Sequence, residues 1–374
     1  MSGQSAPTKT SLIVGAMRSA ITSGEFSPGS RLPRMRELSA RFNASLAVVN
    51  HAINQLEREG RIVRRPRSGV FVRSSVSADR DALLSRSVLV AMPTHGHVYT
   101  DLQSNLLTTI DEAGFTPCTI NSKLILDSSP KSPHRQRLDQ FLASEIFGII
   151  SVGSNYWQYP YLEGYPREKR VILLEYDYPT LNCNAVLVDY ESGYYQLTRH
   201  LIECGCRQII FSSSEDITRS SFKNFHHFQQ MRNGYERALR ENNLMAHCRY
   251  LSDFNCCSDD EAVIRLDKLL TSKYRPDAIV SYMDVQAAQL MRAAERLGCR
   301  VPDDLRITGF YNTPWSYSQG KQLITTMDIG TEVLARKAME ILSHQSASPR
   351  VIFLKPQLVP GFSTLGSNLF KLNQ

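Results

Sequence analysis

The strongest constraint on this chain lies in its first 73 residues, where three stripes of helical period are followed by two runs of strand period. Ile13, Ala16, Met17, Ala20 and Ile21 recur at spacings of three and four, which predicts one amphipathic helix. Gly24 ends it, and Ser27-Pro28-Gly29 is a turn. A short second helix runs from Met35 to Phe42 and buries Leu38 and Phe42. Asn43-Ala44-Ser45 then turns into a third helix, with Ser45 placed to cap it. Along that helix Val49, Ile53 and Leu56 point inward, while Asn50, His51 and Asn54 face away. Gly60 stops it, where a helix end favours a left-handed residue. Arg61 to Arg64 and Val70 to Arg73 alternate apolar and polar around Pro66-Arg67-Ser68-Gly69, a strand, turn, strand hairpin. Three helices and a hairpin make a winged helix-turn-helix.

Charge reinforces this reading. Residues 1–75 hold twelve Lys/Arg against four glutamates, a surplus of eight, whereas the whole chain carries only +7. The positive charge therefore sits at one end of a nearly neutral body, which points to a polyanionic partner for that end alone.

Several fixed spacings here are shared with a known family: Ile21-x-x-Gly24, Pro28-Gly29-x-Arg31-Leu32-Pro33, Arg36-Glu37-Leu38, Phe42-x-x-Ser45, Leu56-x-x-Glu59-Gly60 and Ser68-Gly69-x-Phe71-Val72. Over residues 8–74 the chain resembles the winged helix of GntR regulators. The resemblance implies a dimer that sets its third helices in adjacent major grooves of double-stranded operator DNA, with the wing tip toward the minor groove. Carried over by position, it makes Arg36, Ser45 and Asn50 DNA contacts and Ser68-Gly69 the wing tip. Arg64, Arg65 and Arg67 suit phosphates or a groove. Leu46 and Val48 stand where the family usually has Arg and Thr, so an altered operator, or weaker specificity, is expected.

Ser74 to Asp79 is short and polar, and residues 76–86 read as a linker. From residue 87 the pattern changes to buried apolar runs separated by helical stretches: Ser87 to Met92, Phe147 to Val152, Val171 to Glu175, Ala185 to Val188, Gln208 to Phe211, Ala278 to Ser281 and Leu305 to Phe310. That alternation predicts α/β architecture with doubly wound parallel sheets. Residues 87–374 exceed one such sheet, so two lobes are expected: one of about 87–188 plus 312–338, the other of about 189–311 plus 339–374.

Val188-Asp189-x-x-x-Gly193, Gly234-Tyr235-x-x-Ala238-Leu239, Pro302-Asp303-Asp304-x-x-Ile307-x-Gly309-Phe310 and Leu323-x-Thr325-Thr326 resemble the effector domain of LacI/GalR regulators, whose fold is that of periplasmic binding proteins. A GntR-type reader on such a domain is similar to arabinose-responsive repressors. The resemblance implies a small-molecule effector, sugar-like, held between the lobes, and a homodimer. Departures cluster where ligand would bind. Met231, with Arg232 beside it, replaces an arginine; Met283-Asp284 replaces Asn-Asp; Tyr311, then Asn312, replaces Asp; and Gly361 replaces a second arginine. Glu175 matches an acidic position of the family. The expected ligand residues are His97, Tyr99, Trp157, Glu175, Arg232, Asp284, Tyr311 and Asn312, because sugars need planar polar groups on their hydroxyls and aromatic faces against their C–H surfaces.

Other classes find little support. The eight cysteines form no C-x-x-C pair and no zinc spacing. No P-loop, nucleophile elbow or H-E-x-x-H occurs. No enzyme activity, metal or cofactor is therefore expected. The alternative is a GntR-type reader on an enzyme-like or ligand-free body. No run of about 18 apolar residues and no secretory leader are evident, so a cytoplasmic protein without a membrane partner is expected.

Overall fold

The computed structural model describes residues 9–65, 68–73, 83–93, 97–121, 133–144, 146–153, 166–174, 183–213, 226–251, 258–344 and 348–366. The chain divides into two compact units, Met1–Arg86 and Ser87–Gln374.

In the first unit, α1 (Lys9–Thr22), α2 (Met35–Arg41) and α3 (Leu46–Arg58) precede a hairpin of β1 (Ile62–Arg65) and β2 (Gly69–Val72). The hairpin is antiparallel, with Ile62 opposite Val72 and Arg65 opposite Gly69. Met17, Leu38, Val49, Ile53, Leu56, Ile62 and Val72 close the core. On α1, Val14 is buried and Ala16 exposed, so the inward stripe is rotated slightly from the expected one. Ser45 caps α3, its Oγ accepting from the Val48 N–H at 3.4 Å.

The second unit is built on two all-parallel sheets. The six-stranded sheet has the order β15-β7-β6-β5-β3-β4, from β3 (Ser87–Met92), β4 (Thr116–Asn121), β5 (Gly148–Val152), β6 (Arg170–Leu174), β7 (Asn184–Val188) and β15 (Val351–Leu354). The four-stranded sheet has the order β11-β10-β8-β9, from β8 (Ile209–Ser212), β9 (Arg249–Leu251), β10 (Ala278–Ser281) and β11 (Arg306–Thr308). Helices α4 (His97–Glu112), α5 (Pro133–Leu142), α6 (Tyr190–Glu203), α7 (His226–Glu241), α8 (Asp259–Leu270), α9 (Asp284–Arg296) and α10 (Thr331–His344) connect the strands. Burial on both faces explains why the central strands are uninterrupted apolar runs.

Three segments join the sheets. The first passes through Asp189, which caps α6 by accepting from the Ser192 N–H at 2.9 Å. The other two are β14 (Thr326–Asp328) and β16 (Gln357–Val359), which pair antiparallel; α11 (Phe362–Leu365) follows. The expected lobe boundaries at 311/312 and 338/339 are both displaced. Residues 312–325, including the two-residue strands β12 (Tyr317–Ser318) and β13 (Lys321–Gln322), stay with the four-stranded sheet: Thr313 bonds to Asp284 at the head of α9, and the Gly309 N–H donates to the Thr325 carbonyl at 2.8 Å. Residues 339–344 and 348–354 stay with the six-stranded sheet, because α10 packs on β6 and β7 and β15 pairs with β7.

Candidate functional site

The candidate reading face of the first unit, expected from the sequence, is the outer side of α3 with the hairpin beside it. Leu46, its first residue, is 48% exposed, and Asn50 and His51 are exposed on the same side. Arg36 is exposed on α2. Arg65 lies over the Phe71 ring at 4.7 Å, a cation–π contact that leaves its charge at the surface. Ser68 is exposed at the wing turn, and Gly69 has φ of 113°. Arg67 lies outside the described residues. Arg64 does not project outward alone: its Nη2 donates to Asn50 Oδ1 at 2.9 Å and to Asn54 Oδ1 at 2.5 Å, and its Nε lies 3.4 Å from Glu57.

The second unit has a cavity of about 140 Å³ among its described residues. Its walls come from the carboxyl ends of strands in both sheets: Val98 and Tyr99 in the first turn of α4, Leu174 at the end of β6, Tyr190 at the head of α6, Tyr282 to Val285 after β10, and Tyr311, Thr313 and Trp315 after β11. Ligands of open α/β sheets bind at this end, where the strands leave the sheet. Four tyrosines and one tryptophan make the wall aromatic. Tyr311 donates to the Tyr190 hydroxyl at 3.4 Å, and Phe310 stacks on Tyr194 at 4.6 Å behind them. Leu174, Tyr311 and Asn312 have φ of 75°, 93° and 53°, rare for residues with a Cβ, and Leu174 and Tyr311 line the cavity. Backbone strain of this kind collects at binding sites, held by the surrounding packing.

Three of the expected ligand residues, Tyr99, Asp284 and Tyr311, line this cavity. Asp284 is fully buried, but its oxygens are occupied. Oδ2 accepts from the N–H and hydroxyl of Thr313 at 2.6 and 2.9 Å, and Oδ1 from the Thr326 hydroxyl at 2.5 Å. Burial pushes its carboxyl up to about 6, against those bonds, which favour the ionised form. The geometry makes it a tie between α9, the 310–313 loop and the joining strand β14. Two other expected residues, Arg232 and Asn312, are not among the cavity's lining. Arg232 pairs with Glu236 at 2.7 Å, which also accepts from Tyr250, while its neighbour Met231 on α7 is fully buried. Asn312 gives its amide to Asp328 at 3.1 Å and accepts from Ser316 at 3.2 Å, so it braces β14. His97 is placed at the start of α4, with only its backbone described. Trp157 and Glu175 lie outside the described residues. The sequence reading missed Tyr190, Tyr282, Met283 and Trp315. For Tyr190 the signal was present, since it directly follows the Asp189 that caps α6.

Gly361, which stands where the effector-domain family has arginine, has a local cause. A Cβ there would lie 2.5 Å from the Ile324 carbonyl carbon and 2.6 Å from the Thr325 nitrogen, so the close approach of two backbone segments excludes any side chain.

Comparison with known proteins agrees with this architecture. Residues 9–72 match the model of bacterial regulatory proteins of the gntR family, and residues 198–364 match that of the periplasmic binding protein-like domain. The chain is 24% identical over 362 residues to the arabinose metabolism transcriptional repressor of Geobacillus stearothermophilus, covering 92% of this chain and 94% of that protein. A LacI transcriptional regulator from a Rhodococcus species aligns with a TM-score of 0.61 at 18% identity, over 75% of this chain and 98% of its own. The complex of the transcriptional regulator CelR with cellobiose aligns with a TM-score of 0.57 at 15% identity, over 89% and 100%. The chain thus joins a helix-turn-helix that matches the gntR model to a domain that matches the periplasmic binding protein-like model and shares its fold with LacI regulators. It is a DNA-binding transcription regulator, and a relative it matches along nearly its whole length is a transcriptional repressor. No described helix is long and apolar enough to cross a membrane.

Proposed function

We propose that this regulator is a repressor whose operator affinity is set by a sugar or sugar derivative held between the two lobes of its second unit. The observation that carries the reading is the tyrosine-lined cavity at the carboxyl ends of both sheets, beside the segments that join them. Aromatic faces suit the C–H surfaces of a sugar, and a ligand touching both lobes has a different affinity for their open and closed arrangements. The cellobiose complexed with one structural neighbour, and the arabinose role of the full-length relative, support a sugar rather than a nucleotide or metal. In this reading Tyr99, Tyr311 and Tyr190 contact the effector, and His97, Trp157 and Glu175 remain candidates. Arg36, Ser45, Leu46, Asn50, Arg65, Arg67, Ser68 and Gly69 face the operator, and a cytoplasmic homodimer presents two such heads to a two-fold site.

The test is thermal unfolding of the full chain against mono- and disaccharides, sugar acids and sugar phosphates. At 100 times its dissociation constant a ligand adds about 2.7 kcal/mol to the folded state, which moves the midpoint by several degrees. The same compound should change binding to a duplex selected by the protein from a random pool. A flat panel removes the sugar assignment and leaves the reader domain standing.

A further inference from the structure

We propose that Arg64 positions the reading helix instead of gripping DNA phosphate, and that it fixes which hydrogen-bonding atoms Asn50 and Asn54 present to the bases. The proposal rests on α3 being the reading helix. Asn50, Asn54 and Glu57 occupy one stripe of α3, at spacings of four and three residues, and Arg64 of β1 lies across it. Its Nη2 donates to Asn50 Oδ1 at 2.9 Å and Asn54 Oδ1 at 2.5 Å, its Nε lies 3.4 Å from Glu57 Oε2, and its backbone N–H donates to Glu57 Oε1 at 3.3 Å. The wing is thereby fastened to the helix by one side chain.

The chemistry of the cluster is one-sided. A guanidinium has donors and no acceptor, so each amide must turn Oδ1 toward it and its two Nδ2 hydrogens away. Glu57 neutralises the charge that a phosphate contact would use. An asparagine free to rotate grips adenine with both amide atoms, accepting from N6 and donating to N7. With Oδ1 engaged, Asn50 and Asn54 are donors toward the groove. They then favour base edges rich in acceptors, namely guanine O6 and N7 or thymine O4.

The experiment uses the full chain and a random duplex pool, from which wild type, Arg64→Ala and Arg64→Lys each select sequences. Affinities for the wild-type winner and for a scrambled duplex are then measured across a salt series. Expected for Arg64→Ala is a loss of about tenfold or more on the winner, less than twofold on the scrambled duplex, and an unchanged slope of log affinity against log salt. Its own selection should lose the acceptor preference at the affected positions. Arg64→Lys should behave like the alanine variant, because a single ammonium cannot hold both amides and Glu57 in the planar geometry of the fork. Equal losses on both duplexes, with a salt slope shallower by about one, would identify a phosphate contact and overturn the proposal. Wild-type behaviour of both variants would also overturn it, while leaving the reader intact. A wild-type chain that enriches no sequence would remove the reader itself. Circular dichroism melts of each variant separate these outcomes from loss of fold.

Discussion

At the scale of single residues, Asp284 shows how a group expected at the ligand becomes part of the frame. Its carboxyl is raised to about 6 by burial, so the folded state holds the neutral form more readily than the unfolded chain does. The stability it contributes is full below about pH 4 and is lost as pH rises through 6, roughly 3 kcal/mol in all. About half of that loss falls between pH 5 and 7.5. Urea unfolding at those two pH values should show that difference in wild type and not in Asp284→Asn; equal pH slopes in the two proteins would mean the carboxyl is not raised. Leu46 makes a second residue-scale prediction. An exposed leucine opening the proposed reading helix suits a thymine methyl, whereas Leu46→Arg should shift the selected operator toward guanine at that position, by about 1–3 kcal/mol of discrimination. An unaltered consensus would place Leu46 off the bases.

At the scale of elements, the first unit depends on a few short devices. The Ser45 cap on α3 contributes about 1 kcal/mol, so Ser45→Ala should lower the urea midpoint by a corresponding amount with an unchanged slope. The contact of α6 with α7 is tighter. At Gly234 a Cβ would lie 2.2 Å from the Glu191 carbonyl oxygen, so Gly234→Ala must push two helices apart. A cost of about 3 kcal/mol is expected, at the upper end of overpacking effects, and a calorimetric midpoint within a degree of wild type would contradict it. The elements legible in the sequence were those whose environment is uniform. β3 and β10, buried on both faces, coincide with their apolar runs, and α3 declares itself by its stripe and cap. Three of the four edge strands, β4, β15 and β9, were not legible. β4 carries Pro117 and is only half-buried, β15 alternates between exposed and half-buried, and β9 has three half-buried residues. Such segments owe their conformation to a neighbouring strand, which periodicity does not record.

At the scale of the whole molecule, coupling between ligand and operator requires the second unit to have two arrangements. Tyr190 stands at the head of α6, just after the first joining segment, and Asp284 holds β14, part of the second. Tyr190→Ala should abolish the thermal shift produced by the effector yet leave binding to the selected duplex within twofold of wild type. Loss of both together would place Tyr190 in the frame of the unit instead of the ligand site. Sedimentation equilibrium of the chain should return twice 42.3 kDa, as the proposed homodimer requires.

The sequence by itself determined the winged helix-turn-helix, the basic end, the α/β body and the outward face of α3. These follow from local periodicity, capping and turn chemistry, which act over a few residues. Only the tertiary structure decided where the chain passes between lobes, that Arg232 and Asn312 pair with Glu236 and Asp328, and that Asn50, Asn54 and Arg64 act as one cluster. The lobe crossings and the Arg64 cluster depend on contacts between residues ten to over a hundred positions apart, such as Arg64 with Asn54 or Asp189 with Leu354. Residue order does not encode such pairings until helices and strands have packed, because burial and hydrogen-bond satisfaction are settled by neighbours in space.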